Sequence, residues 1–202
     1  MSRSAEVDQS YVLAQARDCR FVELQFTDVT GTLKSVVIPA HQLEETLAYG
    51  HWFDGSALEG SARAIETDLL LRPDLHTWAV VPWSDVAGFR TGRLLCAVNT
   101  PDEVPYAVDP RGVLARMLEA AAPMGFDYHV AAEVEFFLFR RSPTGGPGEA
   151  ARSLSIATSR GGYFDHTSEI DSQIRNEIAR TLDALGVRVA AGHHEIAPGQ
   201  HE

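Results

Sequence analysis

Apolar and polar residues alternate from Arg20 to Asp28, with Val22, Leu24 and Phe26 on one side and Glu23 and Gln25 on the other, the period of a half-buried strand. A polar helix over Ala5 to Asp18 precedes it. Val29-Thr30-Gly31 supplies a turn, and Leu33 to Ile38 returns as a second strand. Ala40 to Tyr49 reads as a short helix. Two more strands are expected at Thr77 to Trp83 and Arg93 to Val98, with Pro73-Asp74 and Val86-Ala87-Gly88 as breakers. Thr100 to Pro105, rich in turn formers, marks a boundary that divides the chain into residues 1–102 and 103–202. Beyond it Asp109-Pro110 opens a helix in N-cap and first-turn order, with Val113, Leu114, Met117, Leu118 and Ala121 as its expected buried stripe and Gly125 as its stop.

The apolar run Val130 to Phe139 reads as a buried strand. Ser142 to Gly148 is a Gly- and Pro-rich loop. Ser168 to Leu185 is a helix with Ile170, Ile174, Ile178, Leu182 and Leu185 at helical spacing as core, and Ser168-Glu169-Ile170-Asp171 as a capping-box variant. Val187 to Ala191 follows as a short strand. No internal repeat is present. The fold class is therefore α+β, a small sheet domain followed by a unit of strand, helix and strand.

Composition narrows the function. With 202 residues, 45% hydrophobic and 22% charged, the chain suits one or two globular domains. A formal charge of −11 argues against nucleic acid or an anionic membrane as partner, since both would repel it. No apolar run reaches the length of a membrane span, and Met1 to Glu6 lacks an apolar signal core, so a cytoplasmic protein is expected. Cys19 and Cys96 lack Cys-x-x-Cys spacing and are read as reduced and non-catalytic.

Candidate chemistry sits in two stretches. On the expected strand the period of two puts Glu133 and Glu135 on one face, roughly 7 Å apart, a costly arrangement in an apolar run unless a cation lies beside them. The second stretch, His193-His194-Glu195-Ile196-Ala197-Pro198-Gly199-Gln200-His201-Glu202, adds two carboxylates and three imidazoles, and Pro198-Gly199 turns Glu202 back towards Glu195. Together they form a ligand set of the kind Mg²⁺ or Mn²⁺ takes. The alternative for Glu133 and Glu135 alone is the wet face of an edge strand. A zinc-protease motif is excluded, because the second His it needs is Pro198. Gly31 to Ser35 is a hairpin rather than a phosphate loop, having no upstream Gly and no following helix. The loop at 142–148 receives no nucleotide role. Asp54, in Phe53-Asp54-Gly55-Ser56, would on its own be an Asx-turn residue.

Phe53 to Ser56, Glu133 to Phe139, Gly161-Gly162-Tyr163-Phe164-Asp165 and His193 to Glu202 resemble, in order and spacing, the motifs of glutamine synthetase, bacterial type I-like. The likeness runs from about residue 20 to the end and covers the first part of that family's pattern. It implies a β-grasp-like N-terminal domain over 1–102 and an incomplete catalytic domain over 103–202. The implied activity is ATP-dependent ligation of ammonia to the γ-carboxylate of glutamate through γ-glutamyl phosphate. The implied metal ligands are Glu135, Glu195 and Glu202 for one divalent ion, Mg²⁺ or Mn²⁺, and Glu133 for a second. Asp54 is the implied catalytic residue, binding ammonium in a neighbouring subunit's site and taking its proton. Substrates are then glutamate, ammonium and ATP, and the assembly is a homo-oligomer with shared active sites. Asp68 also matches a recurrent family acid, or is a solvated strand end. His201 is left as solvated or lying behind the ligands. Ala57 and Ala190 depart from common family residues, a Ser and a nucleotide-contacting Glu. The other readings are a γ-glutamyl-amine ligase using an organic amine, a truncated non-catalytic relative that serves as an assembly partner, and, third, a metallohydrolase.

Overall fold

Asp8 caps α1, Gln9–Ala16, its carboxylate accepting from the Tyr11 amide. The computed structural model describes residues 8–58, 68–85, 88–139, 159, 162–166 and 169–202, so the expected loop at 142–148, Glu59-Gly60, Val86-Ala87, Gly161 and the Ser168 cap lie outside the described residues. The chain forms two compact units, Met1–Tyr128 and His129–Glu202.

In the first unit β1, Cys19–Thr27, and β2, Leu33–Pro39, form the expected antiparallel hairpin. Its turn is organised by buried Asp28, which accepts from the Thr30 and Thr32 amides and the Thr30 hydroxyl and pairs with Lys34 at 3.2 Å. Those contacts hold the Asp28 carboxyl down at about 2, led by the Thr30 hydroxyl. A 3₁₀ turn at Ala40–Gln42 and α2, Leu43–Tyr49, follow, then β3, His51–Phe53, β4, Leu69–Pro73, β5, Ala79–Val80, and β6, Arg90–Asn99. The sheet runs β2-β1-β6-β4-β3, with β5 also on β6; β1 and β6 are parallel and the other pairs antiparallel. Val22, Leu24 and Phe26 point to the face that α1 and α2 cover, and with Val12, Ile38, Leu43, Leu71, Leu94, Cys96 and Val98 they make the core. Burial pushes the Cys96 thiol up to about 12, in keeping with a reduced, inert residue.

Two sequence expectations change here. β4 is a strand the pattern hid: Leu69, Leu70 and Leu71 are all buried, and three consecutive leucines show no alternation. The strand expected over Thr77 to Trp83 shrinks to Ala79–Val80, because Asp74 caps a 3₁₀ turn at Leu75–Thr77.

α3, Pro110–Ala121, is capped by Asp109 as expected, and Gly125 ends it at φ +81 after a 3₁₀ turn at Ala122–Met124. The other Asp109 carboxylate oxygen accepts from the Val98 amide, and Arg111 pairs with Asp74 at 2.7 Å, so the helix start is tied to the sheet. The turn-rich stretch before it is folded too: Tyr106 donates to Val98 and Thr100 to Val104. The expected buried stripe is corrected. Val113, Leu114, Met117 and Leu118 are exposed, Met117 by 62%, because no described element packs on that face.

In the second unit α4, Glu169–Ala184, matches the expected helix, but Ile170 and Ile178 are exposed rather than core. The strand expected over Val130 to Phe139 reduces to β7, Phe136–Phe137, paired antiparallel with β8, Gln200–His201. Val187 to Ala191 carries no strand. In both cases the reason is the same: among the described residues an apolar run has too little partner strand to complete a ladder.

Candidate metal centre

His193 and Glu202 face each other across a hairpin, each amide donating to the other's carbonyl at 3.0 Å. Glu195 donates to the Gln200 carbonyl at 2.9 Å, and His194 bridges to His201 between these pairs. Gly199, at φ +71, and the Gln200 amide donating to Ala197 close the turn. Gly192 admits this closure, since a Cβ there would lie 3.0 Å from the Glu202 carbonyl oxygen.

Because the side-chain period of a strand is two, this register sorts the hairpin into two faces. His193, Glu195, Gln200 and Glu202 share one. His194 and His201 share the other. On the first face His193 Nδ1 lies 3.4 Å from Glu195 Oε1 and His193 Nε2 lies 3.3 Å from Glu202 Oε2. Ligand atoms drawn one from each of these three residues all lie within 4.8 Å of one another. A six-coordinate divalent cation with bonds of about 2.1 Å spans roughly 4 Å between opposite ligands, so the donor set fits such an ion with slight closure. Two carboxylates and one imidazole suit Mn²⁺ or Mg²⁺ and would also admit Zn²⁺.

The pairing of β7 with β8 aligns Phe136 with His201 and Phe137 with Gln200, and one further step brings Glu135 opposite Glu202. Glu135 therefore shares the ligand face. Its carboxylate accepts from Gln200 Nε2 at 2.7 Å. Glu133, two residues earlier, is exposed and lies outside the group of three. Glu195 is almost fully buried. His193 is also framed by aromatic edges, with Phe164 at 4.6 Å and Tyr163 at 5.2 Å between ring centroids. Phe164 holds a left-handed backbone, φ +65, and its amide donates to the His194 carbonyl at 3.1 Å.

The opposite face is buried. His201 is wholly buried, which of its two readings leaves the one behind the ligands: its ring packs edge-on against His194 at 4.9 Å and tilted against Phe136 at 5.7 Å. Arg175 of α4 lies 2.8 Å from His201 Nδ1, and the Ser159 hydroxyl lies 2.7 Å from His194 Nε2. Burial first, and then the Arg175 cation, pull the His201 imidazole below its ordinary value.

Asp54, in the first unit, is exposed and caps the 3₁₀ turn Gly55–Ala57. Its Oδ1 accepts from the Ser56 amide at 3.0 Å and the Ser56 hydroxyl at 2.6 Å, and these bonds hold its carboxyl below the usual range. Sequence reasoning passed over His193 as a specific donor and Arg175 altogether. The former was readable from the i, i+2 spacing to Glu195; a helix arginine that reaches a hairpin histidine leaves no local signature.

The fold and site define an α+β protein in which a mixed sheet domain precedes a unit bearing a carboxylate-rich hairpin. Residues 18–101 match the family model described as glutamine synthetase, beta-Grasp domain, and residues 107–202 the model described as glutamine synthetase, catalytic domain. The chain is 40% identical over 202 residues to the glutamine synthetase of Staphylococcus epidermidis, covering 99% of this chain and 44% of that one. It is 42% identical over 189 residues to that of Halobacterium salinarum, covering 93% and 40%. Among solved structures, Plasmodium falciparum glutamine synthetase superposes with a TM-score of 0.68 at 17% identity, over 100% of this chain and 44% of that one. A GmaS/ADP complex does so at 0.71 and 24%, over 97% and 43%. The chain belongs to the glutamine synthetase family and spans less than half the length of the curated relatives it matches.

Proposed function

We propose that this chain forms part of an ATP-dependent ligase that joins ammonia to the γ-carboxylate of glutamate through γ-glutamyl phosphate. The observation that carries the reading is the convergence of His193, Glu195 and Glu202 on one hairpin face with Glu135 in register beside them. Glu135, Glu195 and Glu202 would hold one divalent ion, Mg²⁺ or Mn²⁺, with His193 beside them, and Glu133 would help hold a second near the phosphates of ATP. Such ions, when bound, offset the repulsion between the γ-carboxylate and the γ-phosphate. The protein's own work is to fix the carboxylates. The hairpin does this through backbone pairing, so that three donors meet without any of them having to be drawn from a mobile segment.

Asp54 is the acceptor for the proton of ammonium in this reading. The Ser56 hydroxyl and amide hold its carboxyl below the usual range, favouring the charged form that attracts a small cation. The functional division follows residue 102, with the site completed by a neighbouring subunit in a homo-oligomer, and a cytoplasmic location goes with the use of ATP. The test is glutamine formation and phosphate release from glutamate, ATP, ammonium and Mg²⁺ by a form carrying the whole catalytic domain. Turnover lost on Glu195→Ala supports the reading. Preference for an organic amine by kcat/KM would shift it to a γ-glutamyl-amine ligase, and no turnover would favour a non-catalytic relative.

A further inference from the structure

The ligand face of the hairpin is open to solvent only in part, yet it is the buried face that has the unusual chemistry. His194 and His201 stack edge to face there, both almost wholly buried, and a cation from a different element, Arg175 of α4, lies 2.8 Å from His201 Nδ1. A guanidinium has no acceptor, so its bond to His201 fixes Nδ1 as the acceptor and leaves the ring proton on Nε2. Arg175 also donates to Ser172 at 3.3 Å, one turn earlier on its own helix, and fully buried Asp171 acts on His201 from the same helix. The Arg175 stem reaches the hairpin beside Gly192, with Cδ 4.0 Å from where a Cβ on that glycine would stand. His201 is the residue between Gln200, which holds Glu135, and Glu202, which meets His193.

We propose that Arg175 is a positioning residue for the carboxylate face: by holding His201 it fixes the strand Gln200 to Glu202, and thereby the separation of Glu202 from His193 and of Gln200 from Glu135. The inference rests on the metal reading of that face. It differs from a general packing role in one respect. A lost Arg175 contact should let the ligand carboxylates spread, which weakens cation binding more than it weakens the fold; residues behind metal ligands are worth roughly 10- to 100-fold in affinity.

The experiment uses the 202-residue chain and Mn²⁺ alone, with binding followed by electron paramagnetic resonance and His201 ring nitrogens followed by long-range ¹H–¹⁵N spectra without metal. In the unsubstituted chain His201 should show the Nε2-protonated form. Arg175→Gln should change that signature and weaken Mn²⁺ binding about tenfold or more, and Arg175→Lys should recover most of the affinity. His201→Phe, which keeps the ring packing, should lose a similar factor, and the double variant should lose no more than either alone. Should Arg175→Gln fail to fold, the Arg175→Lys and His201→Phe pair carries the comparison. An unchanged Mn²⁺ affinity in Arg175→Gln or His201→Phe, beside clear binding by the unsubstituted chain, would overturn the inference and leave the metal reading standing. No Mn²⁺ binding by the unsubstituted chain would overturn the metal reading and this inference with it.

Discussion

His193 and Glu202 are joined twice, by a reciprocal pair of backbone hydrogen bonds of 3.0 Å and by side chains that meet at 3.3 Å. The first contact makes the second independent of flexible loops. A cation-binding role should therefore survive small surface changes and fail when either carboxylate is removed. In a form with a complete catalytic domain, Glu202→Ala or Glu135→Ala is expected to lower turnover by about 10²-fold or more, with steady-state kinetics as the measure. Near-normal kcat in Glu135→Ala would remove that residue from the site.

The hairpin turn at Asp28 gives a prediction about acid stability. Its folded carboxyl titrates at about 2 against an ordinary 3.8, so the unfolded chain binds more protons between those values. Stability from this group is fully present above about pH 4 and is lost as pH falls through 2. Melting temperature measured from pH 5 to 2 should fall, and Asp28→Asn should flatten the part of that fall due to this residue. An unaltered profile in Asp28→Asn would show that the turn bonds do not bear on stability.

Gly50 ends α2 at φ +79, and a Cβ there would lie 2.8 Å from both the Leu71 carbonyl oxygen and Leu70 Cδ1. Backbone strain and a clash with a core strand act together. Gly50→Ala should cost about 1–3 kcal/mol in chemical denaturation of the chain. A loss below about 0.5 kcal/mol would mean that α2 and β4 shift apart without penalty.

The exposed stripe of α3 predicts self-association. Leu114 and Met117 present apolar area to water without a partner among the described elements. Light scattering should show concentration-dependent assembly of the 202-residue chain, and Leu114→Lys with Met117→Lys should reduce it while leaving the melting temperature within a degree or two. Association unchanged by both substitutions would place the contact elsewhere.

Much of this was legible in the sequence. The β1–β2 hairpin, α4, α3 with its Asp109 and Gly125 ends, and the return of Glu202 towards Glu195 all follow from local signals: alternation, helical spacing, caps and a Pro-Gly turn. What failed was whatever depends on a neighbour. Leu69 to Leu71 lack alternation because both faces are covered, a fact of the sheet rather than of the segment. Val130 to Glu135 and Val187 to Ala191 have strand composition but too little partner strand among the described residues, and the α3 stripe has helical spacing but no described element packed on it. At the site the carboxylates were visible as residue types. Their partner His193 depends on register, and Arg175, which meets His201 behind them, depends on a contact from a distant helix.

The most direct test of the central claim is to locate a bound divalent ion by its effect on neighbouring nuclei. With substoichiometric Mn²⁺, paramagnetic broadening in amide and ring spectra of the 202-residue chain should centre on His193, Glu195 and Glu202, extend to Glu135 and Gln200, and disappear in Glu195→Ala. Broadening that centres elsewhere, or that persists unchanged in Glu195→Ala, would contradict the hairpin as the metal centre.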